Sequence, residues 1–314
     1  MPKSSLTQAV SEERQEQRRI KMKSFIGCGT ALVTPFKANL SLDKKSFCRI
    51  VDWQIKEGID FLVPCGTTGE SPTLTFKEHK RVIEIVIDQV AGKVPVIAGT
   101  GSNNTKEALE LTRHAKKAGA DGCLVVSPYY NKPTQNGLIS HFNTIADIGL
   151  PLIVYNIPGR TGVNITPETM AKLSEHENIV GIKEATGNLE QMTMDILLCG
   201  KKFTYLSGDD TLTLPLMSVG GHGVISVVSN ILPSQVKKMV NNALKGDWNS
   251  AQEIHLKLFP LSQVMFIETN PIPVKFAMAM MGLLNPIWRS PMTPPSCESQ
   301  ERIRKMMETF NLLP

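Results

Sequence analysis

The chain lacks most of the signatures that assign function at a glance. Its six cysteines (Cys28, Cys48, Cys65, Cys123, Cys199 and Cys297) contain no CxxC pair. Several sit in apolar, strand-like runs where Cys acts as a small core hydrophobe, a pattern expected of a reduced, cytosolic protein without disulfides. No apolar run approaches the roughly 18 residues of a membrane span. There is no HxH or HExxH, and His222 stands apart from other ligand types, so a metal site is not expected. The other histidines (His79, His114, His141, His176, His255) make no Ser-His-Asp arrangement in sequence. Charge is not concentrated either. The net charge is +5, and residues 1–23, with six Lys/Arg against three Glu, carry +3 of it. The body lacks the basic face or stripe of a nucleic-acid binder. That leader (SSLTQAVSEERQEQRRIKMK within it) has no apolar h-region, and its glutamates argue against an organellar transit peptide. It reads as a disordered or frayed extension, with Met22 as an alternative start.

What remains is ordinary globular composition, 41% hydrophobic and 20% charged over 314 residues, enough for one large barrel or two smaller domains. Eight short apolar runs recur every 20–35 residues or so: Gly29–Val33, Phe61–Pro64, Val94–Ala98, Cys123–Val126, Leu152–Tyr155, Val180–Ile182, Phe203–Leu206 and Gly223–Val227. They are nearly continuous in hydrophobic residues, as strands buried on both faces must be. Helical spacing appears between them over Leu42–Lys56, Arg81–Val90, Lys106–Ala118 and Pro167–Leu173. The alternation predicts an α/β fold, a (β/α)8 TIM barrel over residues 24–249, with a doubly wound open sheet as the competing architecture. Residues 250–314 lie beyond eight units and read as a helical region: Ser250–Met265, Pro273–Met281 and Ser299–Phe310. On the last of these, Ile303, Met306, Met307 and Phe310 form an apolar stripe, for packing or for a subunit contact.

In a barrel, chemistry gathers where strands end. The sixth run ends in Lys183, within VGIKEAT. A lysine there either snorkels into solvent or is desolvated into an amine that attacks carbonyl groups. The second run ends in GTTGES, with Thr67 and Thr68 in a loop that is a plain turn or a cradle of hydroxyls and N–H groups for an anion. Tyr130 and Tyr155 are core aromatics or proton-transfer groups beside an amine. Arg160 is a solvated loop residue or a clamp for a carboxylate. Asp209 and Asp210 invite a metal reading without supporting ligands, and GTGSNN resembles a phosphate cradle but lacks the Lys-Ser/Thr and the glycine spacing of known ones. Taken together, Lys183, Tyr155, the paired threonines and Arg160 outline a mouth suited to an anionic keto acid held as an imine.

From about Gly27 to the C-terminus the chain resembles the dihydrodipicolinate synthase family, through GTTGES, PVIAGTGSN, SPYYNKP, YNIPGRTG, GIKEATGN, LSGDD, GGHGVISV, NPIPVK and PMTP. The resemblance implies a barrel with a C-terminal helical region, a homotetramer arranged as a dimer of dimers, and no cofactor. It also implies condensation of pyruvate with aspartate 4-semialdehyde on the way to diaminopimelate and lysine. By the same resemblance Lys183 is the Schiff-base lysine, Tyr155 the general acid/base, and Thr67 the hydroxyl relaying protons toward Tyr130, which reaches a neighbouring subunit's site. Thr68 contacts the pyruvate carboxylate, Arg160 holds the semialdehyde carboxylate, and Gly208 and Ile225 line the pyruvate pocket. Ser71, His79, Asn103, Glu107 and Tyr129 match a lysine-effector site at the dimer interface, so inhibition by lysine is expected. Pro72 and Phe76 depart from that pattern, where lysine-sensitive relatives often have alanine and histidine. The rivals are a sugar-acid aldolase such as N-acetylneuraminate lyase, from which Arg160 and the Thr-Thr pair distinguish the chain, and a non-catalytic protein of the same fold, disfavoured by the presence of both Lys183 and Tyr155. A nicotinamide or phosphate binder is disfavoured because Asp121 falls ahead of its strand.

Overall fold

The structure, a computed structural model, describes residues 25–313; the expectation of a frayed leader lies outside them. Eight strands form one parallel sheet in the order β2-β1-β8-β7-β6-β5-β4-β3. They are β1 (Gly27–Ala31), β2 (Phe61–Val63), β3 (Ile97–Gly99), β4 (Gly122–Val126), β5 (Leu152–Asn156), β6 (Ile179–Glu184), β7 (Thr204–Ser207) and β8 (Gly223–Ser226). The two ends of that order meet. Leu62 bridges Val96 in parallel, the Leu62 N–H donates to the Pro95 carbonyl at 3.0 Å, and the Gly99 N–H donates to the Pro64 carbonyl at 2.8 Å. The sheet is therefore a closed barrel, and the open-sheet alternative is excluded.

Each strand leads into a helix that returns along the outside: α1 (Lys44–Lys56), α2 (Phe76–Val90), α3 (Thr105–Ala118), α4 (Gln135–Ala146), α5 (Pro167–Ser174), α6 (Leu189–Cys199), α7 (Thr213–Ser218) and α8 (Pro233–Leu244). The reading of the chain singled out α1, α2, α3 and α5 but not the other four. It also started α2 five residues late. The helix begins where Thr75 and Glu78 form a reciprocal capping box. Strand β1 sits two residues earlier than its apolar run suggested. Leu32 and Val33 stay buried beyond its end: the Leu32 N–H still donates to the Val63 carbonyl of β2 at 3.0 Å, and the Val33 N–H turns to the Asn230 side chain at 3.3 Å. Strand β3 starts late because Pro95 has no N–H to give. Strand β6 runs on through Lys183 and Glu184, polar residues that the apolar pattern could not include.

The hydrophobic interior has two compartments. Inside the barrel pack Ala31, Phe61, Val63, Ile97, Leu124, Ile153, Val180, Leu206 and Ile225, with Phe25 closing the bottom. Phe61 fills the space that a Cβ on Gly29 would need, at 1.9 Å, so the barrel interior closes around that ring only because residue 29 has no side chain. The larger cluster lies between strands and helices, and Ile303 and Met307 belong to it. The stripe on the last helix is thus turned inward. The C-terminal region comprises α9 (Trp248–Val264), α10 (Ile272–Met280) and α11 (Cys297–Thr309). No helix among the described residues is long and apolar enough to cross a membrane.

Candidate active site

Strand register sets the site. Tyr155 on β5 lies opposite Lys183 on β6, and Lys183 lies opposite Leu206 on β7. Alternation along a strand sends Tyr155 and Lys183 to the barrel interior, and Asn156 and Glu184 to the helix layer. Lys183 is only 5% exposed. Its Nζ stands 4.2 Å from the centroid of the Tyr155 ring. Among the described residues no carboxylate lies within salt-bridge distance of it. Burial brings its pKa down to about 8, and the Arg160 charge pushes the same way, while Asp210 and Asp209 partly resist. About a tenth of the side chain is then free amine at pH 7, far more than for an ordinary lysine, which is the direction a nucleophilic lysine needs.

Beside it the Tyr155 hydroxyl is raised to about 12, chiefly by burial, with the Arg160 charge and the nearby Thr67 hydroxyl opposing the rise. Tyr155 is a proton donor by default whose phenolate is helped by two neighbours. Thr67 opens a tight turn after β2 in which the Gly69 N–H donates to the Gly66 carbonyl. The next residue, Thr68, is buried and its hydroxyl accepts from the Asn270 side chain at 3.0 Å. Arg160 follows β5 on a single helical turn, Pro158–Thr161, and is exposed at the mouth. Its guanidinium donates to the Asn270 carbonyl at 3.0 Å. One residue just ahead of α10 therefore holds both Thr68 and Arg160. Sequence reasoning gave Asn270 no role, and nothing local in NPIPVK marks it.

Gly208 fits closely around the lysine. A Cβ there would stand 3.0 Å from the Lys183 Cε and 2.8 Å from the Ala185 Cβ, and its N–H donates to the Glu184 carbonyl at 2.7 Å. Ile225 is buried on β8 in the interior cluster. Asp210, in the loop after β7, caps the C-terminal end of β8: its carboxylate accepts from the Ser226 hydroxyl at 2.5 Å and from the N–H groups of Val227 and Val228. Asp209 accepts from Thr211. The pair that invited a metal reading is occupied with backbone and hydroxyl donors. The GTGSNN loop is likewise spent internally, with Ser102 donating to Glu107 at 2.7 Å and Asn104 capping α3.

Two groups of expected residues lie away from this pocket. Tyr130 is 89% exposed with φ +72°, outside the pocket of its own chain. Ser71, His79, Glu107 and Tyr129 gather around a separate cavity of about 160 Å³ together with Pro72, Phe76 and Ser102. The His79 Nε2 lies 2.7 Å from the Gly99 carbonyl, and burial lowers the pKa of the ring. Asn103 is not in that lining; its carbonyl accepts from the Asn131 side chain.

The Dihydrodipicolinate synthetase family profile matches residues 24–310. The chain belongs to that family. The 4-hydroxy-tetrahydrodipicolinate synthase of Pelobacter propionicus is 53% identical over 290 residues, covering 92% of this chain and 100% of that one. Among solved structures of the family, the dihydrodipicolinate synthase of Aquifex aeolicus superposes with a TM-score of 0.91 at 49% identity, over 92% of this chain and 99% of its own. The enzyme from Cyanidioschyzon merolae, solved with lysine bound, superposes with a TM-score of 0.89 at 42% identity, over 92% of this chain and 99% of its own.

Proposed function

We propose that this chain condenses pyruvate with L-aspartate 4-semialdehyde to give 4-hydroxy-tetrahydrodipicolinate. The observation that carries the reading is a buried amine, Lys183, with no carboxylate paired to it among the described residues, beside a buried tyrosine with the Thr67 hydroxyl near it. The Lys183 amine attacks the keto carbon of pyruvate, and water leaves as the imine forms. The cationic imine draws electrons from the adjacent methyl, which loses a proton to become an enamine. That carbon attacks the semialdehyde's aldehyde carbon, and the resulting alkoxide takes a proton. The adduct's own amino group then displaces Lys183 and closes the ring. Tyr155 is the group within reach that gives and takes these protons, with Thr67 as its relay. Thr68 faces the pyruvate carboxylate, Gly208 and Ile225 shape the pocket, and Arg160 at the mouth takes the semialdehyde carboxylate in a charge-assisted pair. Arg160 is also the feature that favours this reading over a sugar-acid aldolase.

A homotetramer, as a dimer of dimers, fits the same scheme. Tyr130 is a large aromatic held out in solvent on a left-handed backbone, suited to completing a neighbouring subunit's site. We read the chain as a cytoplasmic barrel over residues 24–249 with an appended helical region over 250–314. A second reading concerns regulation. The cavity beside Tyr129 presents the Glu107 carboxylate to a small cation, and we propose that it takes lysine as an inhibitor. Flat activity across millimolar lysine would remove that proposal.

The test of the main reading is a coupled assay, with pyruvate and aspartate 4-semialdehyde supplied and the following reductase reporting nicotinamide oxidation. Turnover present in the wild type and lost in Lys183→Ala is the expected result. An inactive wild type would move the chain to the aldolase branch of the fold.

A further inference from the structure

Behind the wall that β5 and β6 present to the pocket lies a buried polar layer. Glu184, next to Lys183, accepts the Thr186 N–H on one oxygen at 2.6 Å and the Asn156 side-chain amide on the other at 3.3 Å. Asn156, next to Tyr155, in turn accepts the Ile165 N–H at 3.2 Å and donates to the Asn164 side chain at 2.9 Å. Gln191 on α6 closes the layer against Asn164 and the Ile165 carbonyl. The segment tied down in this way, 157–165, carries Arg160. Asp195, one turn further along α6, lies against Glu184 and is 1% exposed. Beyond Glu184, neither oxygen of its carboxyl meets a donor among the described residues. The titratable groups that face it are Glu184 from β6, Glu168 from α5, Tyr205 from β7 and Cys199 on α6 itself. None of them is a cation.

Two carboxylates this deep, with no cation against them, cannot both be ionised. Glu184 already accepts two N–H donors, so it is the partner suited to carry the charge. Asp195 has only an O–H to offer it. We propose that Asp195 keeps a proton and donates it to Glu184, and that this pair is the positioning element that holds Tyr155, Lys183 and the Arg160 segment in register. Burial and the neighbouring Glu184 raise Asp195 to about 8, in keeping with the geometry. The inference rests on the reading of Lys183 and Tyr155 as the reacting groups.

The sign of the linkage is fixed. The folded chain holds a proton on Asp195 that the unfolded chain releases near pH 4, so stability falls as pH rises from there toward 8 and levels off above. The test compares wild type with Asp195→Asn and Asp195→Leu, by denaturant unfolding from pH 5 to 8 and by steady-state kinetics at pH 7. An amide donates to Glu184 without titrating. The wild-type unfolding constant should therefore rise relative to that of Asp195→Asn by up to about tenfold per pH unit, while kcat for Asp195→Asn stays within about threefold of wild type. Asp195→Leu leaves Glu184 without its O–H donor, and kcat should drop at least tenfold with a smaller change in KM. Should it not fold, Glu184→Gln reads the same proton: its amide donates to Asp195, which then ionises, and the pH slope disappears. Equal slopes in wild type and Asp195→Asn would overturn the shared proton, and an unchanged kcat in folded Asp195→Leu would overturn the positioning role. Borohydride trapping of wild type with pyruvate separates these failures from a failure of the active-site reading, because only the latter abolishes trapping.

Discussion

Two buried lysines in this chain face opposite fates. Lys275 on α10 is completely buried, with its Nζ 2.5 Å from the equally buried Glu70 carboxylate and 4.4 Å from the centroid of the Phe36 ring. Lys183 is nearly as buried but among the described residues meets no carboxylate in contact, and its Nζ stands over the face of Tyr155. Burial pushes the pKa of both down. At Lys275 a carboxylate in direct contact pushes back, whereas at Lys183 the nearest acids, Asp209 and Asp210, act from a distance with their own hydrogen bonds engaged. Burial alone does not free an amine. A carboxylate in contact holds the charge on, and without one the buried ammonium gives up its proton more readily.

The largest effect that would sharpen this contrast is on chemistry. Lys183→Ala should lower turnover by on the order of 10³-fold or more, and Lys183→Arg should do no better, since a guanidinium stays protonated. Lys275→Met in folded protein should still give a borohydride-trapped pyruvate adduct by mass spectrometry; loss of the adduct there would mean that the two lysines are not separable. Tyr155→Phe should come next, with kcat down by roughly 10²–10⁴-fold and trapping retained but slowed, as followed by stopped time courses.

Stability reverses the ranking. Lys275→Met strands Glu70 in the interior and should destabilise by about 3–5 kcal/mol, and Lys275→Met/Glu70→Leu should regain most of it, as read from denaturant midpoints. If the double variant is no better than the single, the pair is more than a charge balance. The pH dependence of trapping should also divide them. Adduct formation by Lys183 should rise through a midpoint of about 8 as the ammonium loses its proton. Because folding forces that proton off early, Lys183 makes the fold more stable as pH climbs from about 8 toward 10.5, and a Lys183→Met variant should lose that slope.

The smallest effect concerns a pair built on the same aromatic ring. Arg289 lies 4.2 Å from the Phe36 ring centroid and bonds Glu78, which it holds down to about 2. The stability this provides is present above the ordinary carboxylate range and is lost as pH falls toward 2. In this partly solvated position Arg289→Ala should cost about 1 kcal/mol or less, as judged by the shift in the acid unfolding midpoint.

Much of the architecture was legible because barrel strands are buried on both faces and show as bare apolar runs. The misplacements have particular causes. Leu32 and Val33 are apolar because they pack, and the backbone N–H of Val33 already bonds a side chain instead of a strand. Glu184 is polar yet lies within β6, because Asn156 and Thr186 satisfy it there. Helix α6 was missed because its outer face is itself apolar, with Leu197 71% exposed and Leu189, Met194 and Leu198 partly so, which blurs the 3.6-residue period. Lys183, Tyr155 and Thr67 stood out as polar residues at strand ends. Asn270 and Asp195 did not, since Asn270 lies in a turn ahead of α10 and Asp195 inside α6, both away from the strand ends.

The sequence by itself determined the alternation of strand and helix and the placing of small and polar residues, Tyr155 and Lys183 among them, at the ends of apolar strands. Those are consequences of local periodicity and residue size, which are written along the chain. Only the tertiary structure decided which lysine is left without a carboxylate. It also brought Asn270 across about 200 residues to hold Thr68 and set Asp195 behind β6. Charge balance and desolvation depend on which groups come within a few ångströms of one another in space, and separation along the chain does not encode that.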